Sequence, residues 1–352
     1  MRVLVTGNEG YIGGEMVRVL SEGGHDVWGL DCGYYEPCLL ETPVAPVDER
    51  RRLRKDLRDA RLADLAGFDA VIHLAALCND PIGGLNAEWT HDINHRAAVR
   101  LARLAKESGV ARFIFSSSCS VYGDSGVDEE LTESSTPRPL TAYALSKARS
   151  ETDIAAMADA DFSPVCLRNG SVYGLAPHFR ADIVLNNLAC WAVTTGKVTM
   201  FTDGTPWRPL VHVEDVCAVF ARVLTAPREV IHNQVFNVGA PGENYQVGTL
   251  ARIVCDSVEG SEVERVPHAT GDSRNYRVSF DKLRNAFPDL RLRWNAAAGA
   301  AQVRDGLVAA GITTSDFQGP RFSRLARLEQ LIRSSEVDAS LRMQRAALPV
   351  TP

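Results

Sequence analysis

The feature that most constrains this chain stands at its start. An apolar run, Arg2-Val3-Leu4-Val5-Thr6, passes directly into Gly7-Asn8-Glu9-Gly10-Tyr11-Ile12-Gly13, and the residues that follow have helical spacing, with Ile12, Met16, Val19 and Leu20 on one side. A short run of consecutive apolar residues, without polar alternation, predicts a strand buried on both faces, as in a parallel sheet covered by helices. Gly7 permits the tight turn out of the strand, Gly10 lets backbone approach a ligand, and Gly13 lets helix and strand pack closely. The first N–H groups of such a helix are unpaired and lie at its positive end, so the segment suits the phosphates of a dinucleotide. The spacing is G-x-x-G-x-x-G, and the strand and helix on either side give the glycines their meaning.

A second apolar run over 25–30 ends at Asp31. A carboxylate there can accept both ribose hydroxyls of an adenosine and would repel a 2′-phosphate, which favours NAD over NADP; the alternative is a turn residue capping a strand. Cys32 and Gly33 come next, so no arginine follows directly to favour a 2′-phosphate. Residues 70–74 and 112–116 read as further strands and 97–108 as a helix, and this alternation predicts an α/β, doubly wound parallel (Rossmann-type) sheet. Pro/Gly-rich stretches at 174–180, 203–209 and 239–244 interrupt the second half, where Val235-Phe236-Asn237-Val238 reads as a late strand returning to the sheet. The expected organisation is a dinucleotide-binding domain over 1–174, with 211–240 returning to it. A smaller mixed α/β substrate lobe over 175–210 and 241–330 should cap the sheet's C-terminal edge, where ligands of such folds bind. A terminal helix over 320–343 and a disordered tail, 346–352, complete it, so that 331–352 stands outside both domains.

Composition narrows the partners. With 45% hydrophobic and 23% charged residues the chain has material for a sizeable core. A net charge of −6 argues against a nucleic-acid surface. The most basic stretch, 48–59, has acids at both ends and reads as a solvated loop or helix face. Eight cysteines are scattered without C-x-x-C spacing, which disfavours zinc or a redox pair and suits free thiols in a reducing cytoplasm. The N-terminal residues lack a signal-peptide pattern, and no apolar stretch reaches membrane-spanning length. No metal and no membrane partner are expected.

Tyr143-Ala144-Leu145-Ser146-Lys147 places Tyr and Lys at i and i+4, on one face of a helix. A tyrosine normally titrates near ~10, and a neighbouring ammonium favours the phenolate. The phenolate can act as base toward a substrate hydroxyl while hydride leaves the same carbon. Alone, the pair is as readily structural. The run Ser116-Ser117-Ser118-Cys119-Ser120 follows the strand at Phe113-Ile114-Phe115; it is either an ordinary turn or a hydroxyl placed beside Tyr143.

In this order and spacing, the glycines, Asp31, the serine run and the Tyr143/Lys147 pair resemble the extended short-chain dehydrogenase/reductase family, within it the nucleotide-sugar epimerase/dehydratase group. The resemblance spans roughly residues 1–290 and includes Asp56-Leu57, His73-Leu74-Ala75-Ala76, Asn94, Leu167-Arg168, Val172-Tyr173-Gly174, Asp203-Gly204-Thr205, Arg208 and His212-Val213-Glu214-Asp215. It implies that Gly7, Gly10, Tyr11, Ile12, Gly13, Asp31, Asp56, Leu57, Leu74, Ala75, Ala76, Asn94, Ser116, Tyr143 and Lys147 touch NAD. Ser118, Tyr143 and Lys147 match the catalytic group. Ser118, Cys119, Asn169, Ser171, Arg208 and Arg274 are the expected substrate contacts, the substrate being a nucleotide-diphosphate sugar. Ser171 stands where many relatives have Asn, and His268-Ala269 where they often have Arg. His212 and Asp215 are expected to knit the two lobes, and a homodimer is implied.

The shared first step of that group is oxidation at a sugar carbon, usually C4. Dehydratases of the group resemble one another in an Asp-Glu pair just after the catalytic Thr, and decarboxylases in a Glu at the second of those positions. Here Cys119-Ser120 stand there, without a carboxylate, and C3/C5 epimerases place their Cys one residue later than Cys119. A 4-epimerase, which needs no further acid or base, is the leading expectation. A 4-ketosugar reductase is the alternative, then a dehydratase or decarboxylase, and last a catalytically silent dinucleotide sensor. Cys78-Asn79-Asp80 is either a structural loop or a sugar contact, and substrate choice is expected from 179–191 and 198–207.

Overall fold

The computed structural model describes residues 1–40, 48–78, 80–124, 130–266 and 274–344. Seven parallel strands form the main sheet: β1 (Arg2–Thr6), β2 (Asp26–Asp31), β3 (Arg52–Arg54), β4 (Ala70–His73), β5 (Arg112–Ser118), β6 (Ser163–Asn169) and β7 (Gln234–Val238). Their spatial order is β7-β6-β5-β4-β1-β2-β3. The order reverses between β1 and β4, where Val3 pairs with Ala70 and Thr6 with His73, and a crevice opens there at the strands' C-terminal ends.

The pleat separates the two faces. Val3, Val5, Ile72 and Ile114 join a core with Met16 and Leu20 of α1 (Tyr11–Glu22), while Leu4, Val71, Phe113 and Phe115 face Leu101 of α2 (Ala97–Glu107) and Ile154 of α3 (Ala142–Ala155). This is the doubly wound arrangement that the alternating pattern predicts. The late strand also falls in place: Phe236 pairs with Leu167, and β7 closes one edge.

A second core lies in the chain's other half. Leu185 and Leu188 of α4 (Val184–Thr195) meet Leu250 and Val254 of α6 (Val247–Ser257), and Ala300, Val303 and Leu307 of α7 (Ala296–Ala309). Small mixed sheets accompany it: Trp207–His212 pairs parallel with Ser171–Tyr173 and antiparallel with Asn244–Gln246. Helix α5 (Val213–Leu224), between these parts in sequence, puts Val216, Val219 and Phe220 into the main-sheet core. His212 stacks on Trp294, centroids 4.2 Å apart, and bonds Gln302 at 2.8 Å. Asp215 accepts from the N–H groups of Arg293 (2.9 Å) and Trp294 (3.1 Å), so both residues fasten 293–302 to this junction.

Two expectations are corrected. The basic stretch at 48–59 is neither loop nor helix throughout, because Arg52–Arg54 form the edge strand β3. Three residues are too few to show a period, and charged side chains are ordinary on sheet edges. The terminal helix is α8 (Arg324–Arg333) only. It ends at Ser334 and Ser335, the latter with φ 58°, and Val337 and Leu341 then turn inward against Tyr34 and Ile82. The tail at 346–352, Asn79 and the pair His268-Ala269 lie outside the described residues.

Candidate active site

A cleft of about 840 Å³ opens along the C-terminal ends of the strands, between the main sheet and the second core. At its floor β1 turns into α1 through Gly7, whose φ is +73°; a Cβ there would lie 2.8 Å from the amide nitrogen of Ala75. A Cβ on Gly13 would lie 1.9 Å from the carbonyl oxygen of Gly7, so helix and turn meet backbone to backbone. A Cβ on Gly10 would find only that same oxygen, at 3.0 Å. Helix α1 has no side-chain cap and no acid in its first turn. Uncapped N–H groups beneath open space suit a diphosphate.

Tyr11 and Ile12 begin the helix beside this space, and Tyr11 spends its hydroxyl elsewhere, donating to the carbonyl of Gly174 at 2.6 Å. Leu74, Ala75 and Ala76, at the end of β4, form the next part of the wall. Asp31 ends β2 and accepts from the N–H groups of Gly33 (2.8 Å) and Glu9 (3.1 Å). Burial raises its carboxyl to about 6, with a smaller upward push from the charge of Glu9. Asp56 and Leu57 flank it, and Asp56 holds Arg58 with a bond of 2.6 Å.

No arginine adjoins Asp31 in sequence, but β3 brings two. Arg54 is level with Asp31 and Arg52 with Gly29. Glu9 engages both, Arg54 at 2.9 Å and Arg52 more closely, while Glu36 bonds Arg54 at 2.6 Å and Arg52 at 3.2 Å. Gly33, with φ +86°, lets Arg54 through, because a Cβ would lie 1.7 Å from Nη1. Pattern reading of the sequence missed this cluster. Its one signal is Glu9 within the glycine turn, which makes sense only once β3 is seen.

The chemistry-bearing residues converge on the ends of β5 and β6. Helix α3 begins at the capping Thr141, which places Tyr143 and Lys147 on the face turned to the sheet. Lys147 is 3% exposed; its Nζ donates to the carbonyl of Ser116 at 2.7 Å and lies 5.7 Å from the centre of the Tyr143 ring. Burial lowers the pKa of its ammonium. Ser118 is opposite Asn169 in the register, its Oγ accepting from Ser120 N–H at 3.1 Å. Asn169 donates to Ser116 Oγ at 3.0 Å, while its buried Oδ1 has no partner, an acceptor left over at the cleft wall. Ser171, Arg208 and Arg274 stand along the same cleft, with Arg208 donating to the carbonyls of Trp207 (2.8 Å) and Arg274.

Two expected contacts do not line the cleft. Cys119 is fully buried in the turn after β5, with Sγ on the Arg168 carbonyl (3.1 Å) and neighbours Val121, Tyr122 and Tyr276. Asn94 is buried below the wall, accepting from Leu77 N–H (2.8 Å) and donating to the Leu77 carbonyl (2.9 Å), so it shapes the loop after Ala76. Conversely, Cys78, Tyr35, Arg180, Asp182 and Arg324 do line the cleft. Asp182, then Asn187 and Leu188 of α4, and residues 199–202 form one end of it, within the two stretches expected to set substrate choice. Among the described residues no group of His, Cys, Asp or Glu is arranged to hold a metal, and no helix is long and apolar enough to cross a membrane.

The cleft therefore combines an uncapped helix start, a ribose-type carboxylate and a Tyr–Lys pair, a donor set that fits NAD. Residues 3–239 match the family described as the NAD dependent epimerase/dehydratase family. Mouse dTDP-D-glucose 4,6-dehydratase is 29% identical over 257 residues, covering 70% of this chain and 68% of the relative. UDP-glucose 4-epimerase of Corynebacterium glutamicum is 29% identical over 307 residues, covering 81% and 89%. The solved structure of MoeE5 in complex with UDP-glucose and NAD superposes with a TM-score of 0.74 at 28% identity, covering 89% of this chain and all of that one. Given the match across two thirds of its length, this chain belongs to the NAD dependent epimerase/dehydratase family.

Proposed function

We propose that the protein is an NAD-dependent nucleotide-sugar 4-epimerase. The observation that carries this reading is the absence of an uncommitted carboxylate beside Tyr143 and Lys147 among the described residues. Among the described residues the cleft's carboxylates are Asp31, Asp56 and Asp182. Asp31 and Asp56 stand at the β2–β3 side, and Asp182 holds Arg180 at 2.9 and 3.2 Å. Cys119 and Ser120, just after Ser118, bear no carboxylate and are both buried outside the cleft. Elimination of water needs a base at one carbon and an acid at the leaving oxygen; epimerisation needs only a hydroxyl base and a hydride carrier.

Bound NAD would supply that carrier, the acceptor and then the donor of a hydride at the sugar carbon. The residues from Gly7 to Gly13 would hold its diphosphate and Asp31 its adenosine ribose. The Tyr143 phenolate, stabilised by the Lys147 ammonium, takes the proton of the substrate's C4 hydroxyl, and Ser118 Oγ bonds that oxygen. Once the 4-keto sugar has turned its other face, Tyr143 returns the proton as hydride returns to C4. Net oxidation is zero. Arg208 and Arg274 are proposed to hold the nucleotide diphosphate, and the second core, with 175–210 and 241–330, to form the substrate lobe. The similarity to a 4-epimerase and to a structure with bound UDP-glucose supports a sugar linked to a nucleoside diphosphate.

The test is a panel of uridine, thymidine, guanosine and cytidine diphosphate sugars, with products read by NMR. Two interconverting C4 epimers from one substrate support the reading. A dehydrated ketosugar, or reduction that consumes added NADH, excludes it.

A further inference from the structure

Arg324 opens α8 and is only 4% exposed, yet among the described residues it bonds no carboxylate. Its Nη2 donates to the His178 carbonyl at 2.8 Å, and its guanidinium carbon lies 4.4 Å from the centre of the Tyr35 ring. Its Nη1 has no hydrogen-bond partner. His178 fixes where this happens: its ring lies against the first turn of α1, a Cβ on Gly14 coming within 3.4 Å of Nδ1. Arg180 is a second cation close enough to repel Arg324. It is held by Asp182 and, through Nη2, by the Cys78 carbonyl at 3.2 Å.

Among the described residues the carboxylates of this neighbourhood are taken, Asp182 by Arg180 and Glu36 by Arg54 and Arg52. Two guanidinium groups and an uncapped helix start thus converge on one wall of the cleft with one carboxylate between them. A buried cation without a counter-ion is strongly disfavoured, and burial, then the charge of Arg180, lower the pKa of Arg324. An anion in the cleft would supply the missing counter-charge, and the positive start of α1 favours a diphosphate there.

We infer that Arg324 and Arg180 form, with the start of α1, an anion site for the diphosphate of the bound dinucleotide, and that α8 straps the cofactor in place. The strap is well anchored. Arg327 Nε donates to the Tyr34 carbonyl at 3.0 Å, Trp89 Nε1 to that of Ala339 at 2.9 Å, and Arg58 Nη1 to that of Ser340 at 2.6 Å. Leu328 and Leu331 pack on Tyr34, Leu77 and Ile93. An enzyme that reuses one hydride carrier every turnover gains from such retention. The inference rests on the dinucleotide placement proposed above.

The test uses full-length Arg324→Gln, Arg180→Gln and, as a control on the exposed end of α8, Arg333→Gln. NAD, ADP, adenosine and UDP are titrated by calorimetry, and NAD carried through purification is assayed after acid release. Loss of a charge-assisted bond should weaken NAD and ADP about 10- to 100-fold in Arg324→Gln. Adenosine binding should not change, Arg333→Gln should match the parent, and Arg180→Gln should move in the same direction, carrying the test if Arg324→Gln fails to fold. Unchanged NAD and ADP binding overturns the inference, as does equal loss of adenosine, or loss of UDP binding with NAD intact. These readouts are independent of epimerase turnover. Asp31→Asn with undiminished NAD binding would instead remove the placement on which the inference stands.

Discussion

Lys147 reaches across from α3 to the end of β5, where its Nζ donates to the Ser116 carbonyl at 2.7 Å, with the Tyr143 ring centre 5.7 Å away. The bond fixes a buried ammonium beside the phenol that the account assigns as base. Tyr143→Phe should lower kcat by about 10²- to 10⁴-fold, the usual contribution of a general base. Lys147→Met should have a comparable effect, and Tyr143→Phe should keep bound NAD. Steady-state rates with NAD content by absorbance check this; full activity in Tyr143→Phe removes it as the base.

Asp31 gives a pH dependence. Ribose hydroxyls donate to its ionised form, and burial has raised its carboxyl to about 6. NAD affinity should therefore be full above about pH 7 and fall as pH drops through about 6, by up to about tenfold per unit. In Asp31→Asn the affinity should be lower and flat across that range. Calorimetry between pH 5 and 8 decides it.

Glu9 should guard the choice of cofactor. It neutralises Arg52 and Arg54 beside Asp31, with Glu36 on the other side. In the Glu9→Gln, Glu36→Gln pair the two guanidinium groups are released toward the 2′ position, and the NAD-to-NADP affinity ratio should fall by about tenfold or more. An unchanged ratio means these arginines do not face the ribose.

His73 predicts acid sensitivity of the fold. It is buried, shares a 2.6 Å hydrogen bond with Thr6 Oγ1, stacks on Phe115, and burial lowers its pKa to about 3. The unfolded chain, titrating near ~6.5, binds that proton first. The stability His73 contributes is complete above that pH and is lost as pH falls toward about 3. Denaturant melts at pH 7.5 and 5 should show the loss, and a His73→Gln protein should show less of it.

Glu151 and Arg168 test the frame behind the site. Both are nearly buried and joined at 2.6 Å, Glu151 also accepting from Ser117 at the end of β5. Arg168→Met should cost about 3–5 kcal/mol by stranding the carboxylate. The double Arg168→Met, Glu151→Leu should recover part of it. Urea unfolding measures both.

Much of this was legible in the chain because the signals are local. Gly7 to Gly13 must turn between a strand and a helix, and Tyr143 and Lys147 share a face by spacing alone. What escaped is set by elements distant in sequence. Arg52 and Arg54 face Glu9 only because a three-residue strand lands on the sheet edge, and Arg324 enters the cleft only because α8 returns across Tyr34. Cys119 follows Ser118 directly, yet the turn after β5 sends its thiol to the Arg168 carbonyl. Asn94 reads as a contact but acts one layer down, on Leu77.

The central claim is a hydride that leaves C4 and comes back to C4. A nucleotide sugar deuterated at C4, incubated with enzyme and followed by NMR and mass spectrometry, tests it most directly. Deuterium at C4 of both epimers, with no solvent exchange and no accumulating NADH absorbance, is the expected result. Deuterium found at C6 of a dehydrated ketosugar, or lost to reduced cofactor, would contradict it.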